Sequence, residues 1–292
     1  FTLPFWLLRA TAVARRLLRE RHVDAVVSTG GRPSVPVGLA AKSLGLPLYL
    51  LEQNAVTGRA NRWLLPLAQR IYHGLPGKDA ATPRSVVTGT PLRPGLGTVT
   101  RAKARESLGL RDDLPVVLVT GGSQGARSLN EIVPQALVRL NRPLQVLHLA
   151  GLGRDDTVRR FYAASDGRVV ANVRAVAFDM DRMFAAADLV ICRGGGTTVA
   201  ELCAVGRPAL VVPYPHHRDR QQLRNAEVLA KAGAAVIVEE PALSVDAVTE
   251  LVQCLLADPA RLQAMGEAAR TCQPGDACKR ILDDMALDGG GA

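Results

Sequence analysis

Five cysteines in 292 residues, none at ligand-like spacing, leave this chain without a zinc framework or a disulfide scaffold. Cys192 and Cys203 fall in a strand-like and a helix-like stretch, and Cys254, Cys272 and Cys278 are scattered. The pattern predicts reduced thiols, a cytoplasmic location and no metal site. Aromatic residues make up only 4%. Single-stranded nucleic acids are held by aromatic rings interleaved with cations, so nucleic acid is excluded as a partner. Lysine is scarce too, being confined to Lys42, Lys78, Lys103, Lys231 and Lys279. Lys and Arg together still number 36 against 27 acidic residues, a formal charge of +9. Part of that arginine bias is attributable to genomic composition, and the excess suits anionic lipid or a phosphorylated substrate. No apolar run approaches the ~20 residues of a membrane-spanning helix, and no small-residue cleavage site marks a signal peptide. The only low-complexity tract is the Gly-Ala tail at 289–292.

What is present is an apolar-rich alternation of strand-like and helix-like stretches. At 48% hydrophobic the chain has enough apolar material for two cored domains. The alternation predicts α/β architecture with parallel sheets.

Two passages in the second half place a glycine turn where a buried strand hands over to a helix: LPVVLVTGGSQGARSLNEIV and ADLVICRGGGTTVAELCAVGRPALVVPYP. In the first, Val116 to Val119 reads as a strand buried on both faces. Gly121, Gly122 and Gly125 then turn the backbone tightly, and Ser123 can donate from its hydroxyl. In the second, Leu189 to Cys192 is the strand, Gly194 to Gly196 the turn, and Thr197 and Thr198 open the helix. Free N–H groups and the helix dipole favour an anion at such a terminus. Glu201, about one and a half turns on, can accept hydrogen bonds from a ribose diol. One such turn is equally at home as an ordinary βα loop, but two together point to a nucleotide. A dinucleotide site needs an acidic residue about 20 positions beyond the first glycines. That strand, Leu144 to Ala150, instead runs into Gly151-Leu152-Gly153-Arg154, so a mononucleotide is preferred to NAD.

The first 22 residues gather Phe1, Phe5, Trp6, Leu7 and Leu8, then Arg9, Arg15, Arg16, Arg19 and Arg21 with one acid, Glu20. Two readings compete: an ordinary packed helix with an apolar face through Leu7, Ala14, Leu17 and Leu18, or a helix whose Phe5, Trp6, Leu8 and Arg9 meet an anionic membrane surface. Val23 to Val27 reads as a strand, followed by a third glycine loop opening a helix at about 34–37. The strand Leu48 to Leu51 delivers Glu52, Gln53 and Asn54 to its C-terminal end, where open α/β sheets bind ligands and where turn chemistry also favours such residues. Gly and Pro crowd residues 88–99, marking a linker. His216 and His217 lack a carboxylate partner and read as surface residues.

The passages GGRPSVPVGLAAKSLGLP, LEQNAVTGRANRWL, VTGTPLR, VTGGSQGARSLN, DMDRMFAAADLVICRGGGTTVAEL and DRQQLRNAEVLAKAGAA closely resemble the MurG glycosyltransferases of bacterial peptidoglycan synthesis, in consistent order from about residue 5 to 285. The resemblance implies a GT-B fold of two Rossmann-like lobes with parallel sheets. It divides the chain into an acceptor and membrane lobe at 1–90, a linker at 91–99, a UDP-sugar lobe at 100–275, and a last helix with the tail at 276–292 that returns to the first lobe. It implies an inverting transfer of N-acetylglucosamine from UDP-N-acetylglucosamine to lipid I (undecaprenyl-pyrophosphoryl-N-acetylmuramyl-pentapeptide), giving lipid II at the cytoplasmic face of the membrane with no cofactor. Ser123, Gly196, Thr197 and Thr198 would then meet the phosphates, Arg93 the nucleotide-sugar, the turn at Ala177 the uracil, and Glu201 the ribose. Gln221 and Asn54 would hold the sugar hydroxyls. The family's first glycine loop, GGTGGH-like, is not in this sequence, so the N-terminal lobe is expected to be incomplete by about 60–80 residues. The loop's histidine is the family's proposed base. Glu52 is left as the acceptor-side candidate for a catalytic base, or as the group that orients its turn. Leu51 and Arg32 depart from the His and the aromatic residue usual in the family. The alternatives are another GT-B enzyme, such as a nucleotide-sugar epimerase, or a UDP-sugar-binding remnant without turnover.

Overall fold

The computed structural model describes residues 2–289, so Phe1 and the end of the Gly-Ala tail lie outside the described residues. The chain forms two compact units, Phe1–Pro91 with Pro274–Ala292, and Leu92–Gln273.

The first unit is built on a four-stranded sheet, β1 (Val26–Ser28), β2 (Leu48–Glu52), β3 (Arg70–His73) and β4 (Ser85–Val87), in that spatial order and parallel throughout. Successive side chains of a strand face opposite sides. Leu48, Leu50 and Ile71 therefore enter one core with Ala41 and Leu64, while Tyr49 and Tyr72 meet Ile281 on the other face. Ile281 belongs to the helix Ala277–Gly289, whose Asp284 accepts a hydrogen bond of 2.9 Å from the Tyr72 hydroxyl and pairs with Arg70 at 3.4 Å.

The first strand is shorter than the predicted Val23 to Val27. The helix Thr2–Glu20 closes with His22 in the left-handed region at φ 48, and the amides of His22 and Val23 bond back to the carbonyls of Arg19 and Leu18. This is a Schellman closure. Val23 and Leu18 pack together in the core, so Val23 ends the helix and does not start the strand.

The second unit carries six parallel strands: β5 (Val116–Thr120), β6 (Leu144–Leu149), β7 (Val169–Arg174), β8 (Leu189–Cys192), β9 (Ala209–Val211) and β10 (Ala235–Ile237). Their spatial order is β10-β9-β8-β5-β6-β7. The chain leaves β5 toward one edge, then returns beside it as β8 and proceeds to the other. That reversal is the topological switch point of a Rossmann-type sheet, and crevices for ligands open there, outside the C-terminal strand ends. β5, β6, β8 and β9 are buried throughout because helices cover both faces, which explains why they are mostly apolar, with Gln145 and His148 of β6 as buried polar exceptions. At the opposite end, the fully buried Arg105 donates to the carbonyls of Ala186, Asp112 and Leu114 and pairs with Asp188 at 2.7 Å.

Candidate functional site

Both glycine loops of the second unit follow the two strands that flank the switch point, so the topology sets them side by side. After β5, the Thr120 hydroxyl accepts from the Gly122 amide at 3.2 Å and folds the loop back. Gly125 has φ +67, and a side chain there would collide with the Ala150 carbonyl oxygen at the end of β6. The loop is thus pressed against the neighbouring strand end, with Ser123 exposed at its tip. The helix Arg127–Arg139 begins at Ala126 with no side-chain cap, which keeps its first amides available to an outside acceptor.

After β8 the helix Gly196–Val205 starts one residue earlier than the sequence suggested, again with no side-chain cap, at Gly195. A side chain on Gly194 would strike the carbonyl of Gln222, and the Asn225 amide donates 2.9 Å to the Gly194 carbonyl. The helix Gln221–Lys231 is thereby fastened to the loop, with Gln221 at its first turn. Gln222 accepts from the Tyr214 amide at 2.9 Å. His216 is exposed and His217 half-buried, each edge-on to the Tyr214 ring at about 5 Å.

Glu201 lies with its side chain 13% exposed and 3.9 Å from the Arg93 guanidinium. Burial raises its carboxyl above the usual range, and Arg93 partly opposes that shift. Arg93 also donates to the Phe178 carbonyl at 3.4 Å. The 176–179 turn, containing Ala177, lines an open pocket of about 480 Å³ with Arg174 and Arg182. Arg174 is held there by both oxygens of Asp179 at 3.2 Å, and the Phe178 ring projects 88% exposed. The structure therefore brings Arg93, Ala177 and Glu201 together.

Glu52 and Asn54 belong to the first unit. Glu52 is 5% exposed and accepts four hydrogen bonds: from the Asn54 amide and side chain at 3.2 and 2.9 Å, the Gly58 amide at 2.8 Å and the Asn61 side chain at 2.9 Å. Both oxygens are occupied in closing the 52–61 turn. A general base needs a lone pair facing its substrate, so this geometry supports the orienting role left open for Glu52, and not proton transfer. Phe5, Leu8 and Arg9 stand exposed on the first helix, and Trp6 is 48% exposed. Ala14 is buried and Leu18 packs into the core, whereas Leu17 faces outward against expectation.

Sequence reasoning missed the supports of the loops. Arg193, 9% exposed, donates to the carbonyls of Val212 and Pro213, to Ser128 at 3.0 Å and to Glu240 at 2.6 Å, tying the second loop to the helix Arg127–Arg139. An arginine directly after an apolar strand was the available signal. Asn130, His148 and Tyr162 form a buried chain beneath the first loop. Nothing in their spacing announces it.

Residues 116–281 match the glycosyltransferase family 28 C-terminal domain, and residues 1–73 match the glycosyltransferase family 28 N-terminal domain. The chain is 41% identical over 282 residues to the UDP-N-acetylglucosamine–N-acetylmuramyl-(pentapeptide) pyrophosphoryl-undecaprenol N-acetylglucosamine transferase of Cronobacter sakazakii, covering 97% of this chain and 77% of that one. It is 40% identical to the same-named protein of Stutzerimonas stutzeri, with 96% and 77% covered. Among solved structures, Acinetobacter baumannii MurG superposes with a TM-score of 0.81 at 34% identity, over 96% of this chain and 78% of that one. A UDP-GlcNAc 2-epimerase from Neisseria meningitidis superposes with a TM-score of 0.69 at 14% identity, over 96% and 81%, a likeness of fold alone.

Proposed function

Because this chain belongs to the MurG family of glycosyltransferases, we propose that it transfers N-acetylglucosamine from UDP-N-acetylglucosamine to lipid I, inverting the anomeric carbon and releasing lipid II and UDP. The observation that carries the reading is the convergence, at one switch point, of two uncapped helix N-termini with Glu201, Arg93 and the 176–179 turn. As the bond to the sugar breaks, negative charge grows on the departing diphosphate. Ser123, the amides at 127–129 and those of Gly196, Thr197 and Thr198 meet that charge without reorganising. Glu201 accepts from the ribose hydroxyls, and the Ala177 backbone faces the uracil. Arg93, released from Glu201, closes on the diphosphate. Gln221 holds the sugar hydroxyls. The first unit takes the acceptor, and its exposed Phe5, Trp6 and Leu8 beside Arg9 rest on the anionic cytoplasmic face of the membrane. No helix among the described residues is long and apolar enough to cross a membrane.

The test is calorimetry with UDP, ATP and NADH. UDP should bind most tightly, and Glu201→Ala should weaken it by about 1.5–3 kcal/mol, the cost of losing hydrogen bonds to a charged acceptor. Equal affinity for the three ligands, or no effect of the substitution, overturns the reading.

A further inference from the structure

Beneath the first glycine loop, three polar side chains meet in the core of the second unit. Asn130 comes from the helix Arg127–Arg139, His148 from β6 and Tyr162 from the helix Asp155–Ala163. The Asn130 Nδ2 donates to the Ala150 carbonyl at 2.8 Å, which turns its Oδ1 toward His148. Oδ1 lies 3.1 Å from His148 Nε2, and His148 Nδ1 lies 2.9 Å from the Tyr162 hydroxyl. An amide oxygen can only accept, so Nε2 carries the imidazole proton, and Nδ1 accepts from the tyrosine. The donors run one way, from Tyr162 through His148 and Asn130 to the Ala150 carbonyl.

That carbonyl is the contact surface of the loop. Gly125 is packed so closely on it that no side chain fits between, and a side chain on Gly151 would likewise strike the backbone of Gln124 and Gly125. A shift of Ala150 therefore becomes a shift of residues 121–126. Three buried polar groups in a core that leucine or phenylalanine could fill give no clear gain in stability, because each hydrogen bond only replaces one to water. Their shared end point supplies another reason.

We infer that His148 is a positioning residue for nucleotide binding: through Asn130 it fixes the Ala150 carbonyl, and so sets the geometry of the loop that receives the diphosphate. His148 touches no substrate. This chain of contacts binds the loop's two neighbours, β6 and the helix after the loop, into one rigid support. Such placement matters because sites lose much of their affinity when the groups that carry them are held loosely. The inference rests on the proposed reading of the first loop as a UDP-diphosphate site.

Two measurements on the full chain test it. Nitrogen-15 shifts should show the Nε2–H tautomer of His148, unchanged from about pH 8 to about pH 5; an Nδ1–H tautomer breaks the donor chain and overturns the inference. Calorimetry should show UDP binding weakened about tenfold by His148→Leu and restored to within about threefold by His148→Gln, which keeps the donor to Asn130. Asn130→Ser, whose shorter side chain gives up the bonds both to His148 and to the Ala150 carbonyl, should also weaken UDP about tenfold, and it serves if His148→Leu does not fold. Folded variants that bind UDP within about twofold of the unaltered chain would reduce the triad to a packing feature and overturn the inference. Failure of the unaltered chain to bind UDP would instead remove the functional reading itself.

Discussion

Acidification from about pH 7 to about pH 5 should cost the second unit about 2 kcal/mol through His148 alone. Complete burial away from water disfavours the imidazolium and lowers the pKa of this histidine from 6.5 to about 3. In the unfolded chain the same side chain titrates near 6.5. Between those two values the unfolded state binds a proton that the folded state refuses. Stability is therefore fully present above the unfolded value and falls by about 1.4 kcal/mol per pH unit on the way down to the folded one. His73 is shifted in the same direction, chiefly by burial and against the pull of Glu52 and Asp79, but it belongs to the first unit. Asp79, lowered chiefly by its bond from the Thr57 amide, acts only at more acid pH. Trp6 and Trp63 both lie in the first unit, so fluorescence would follow the wrong half of the molecule. The assay is urea unfolding by circular dichroism, with hydrogen exchange read at the amides of β5 and β6. His148→Gln, which does not titrate, is the comparison. An equal loss of stability in the two proteins between these pH values would refute the argument.

Gly125→Ala should abolish UDP binding, because φ +67 and the Ala150 carbonyl both reject a side chain, and a calorimetric isotherm matching the unaltered protein would contradict the loop geometry. Glu52→Gln sets an NH2 group against donors in the 52–61 turn and should destabilise the first unit by about 1–3 kcal/mol, visible in Trp63 fluorescence during denaturation. If Glu52 is instead a base, stability will hold while transfer collapses. The chain should cosediment with vesicles containing anionic lipid, release as salt rises, and bind more weakly once Phe5 and Trp6 are replaced by Ser. Loss of the cooperative melt in that double variant would show that these side chains are structural.

Alternating apolar strands and helices announced two α/β regions with parallel sheets, because strands buried on both faces must be apolar along most of their length. Glycine loops at strand ends announced the two tight strand-to-helix turns of the candidate site, because only glycine accepts those backbone angles and close approaches. The residues proposed to meet the nucleotide were legible for the same reason: Ser123, Thr197 and Glu201 sit within a few positions of those glycines, where local geometry governs. The sheet order was not legible. The reversal at β5 and β8 sets loops some 70 residues apart in the chain next to each other, and no local preference encodes which strand pairs with which. The same limit applies to Glu52, whose four donors come from a turn that closes only when Asn61 packs beneath it. It applies to Arg193, whose partners come from three separate segments, and to Asn130, His148 and Tyr162, which join two helices and a strand. A buried polar side chain is selected by partners that the chain supplies from far away, so its role becomes visible only once folding has placed those partners around it.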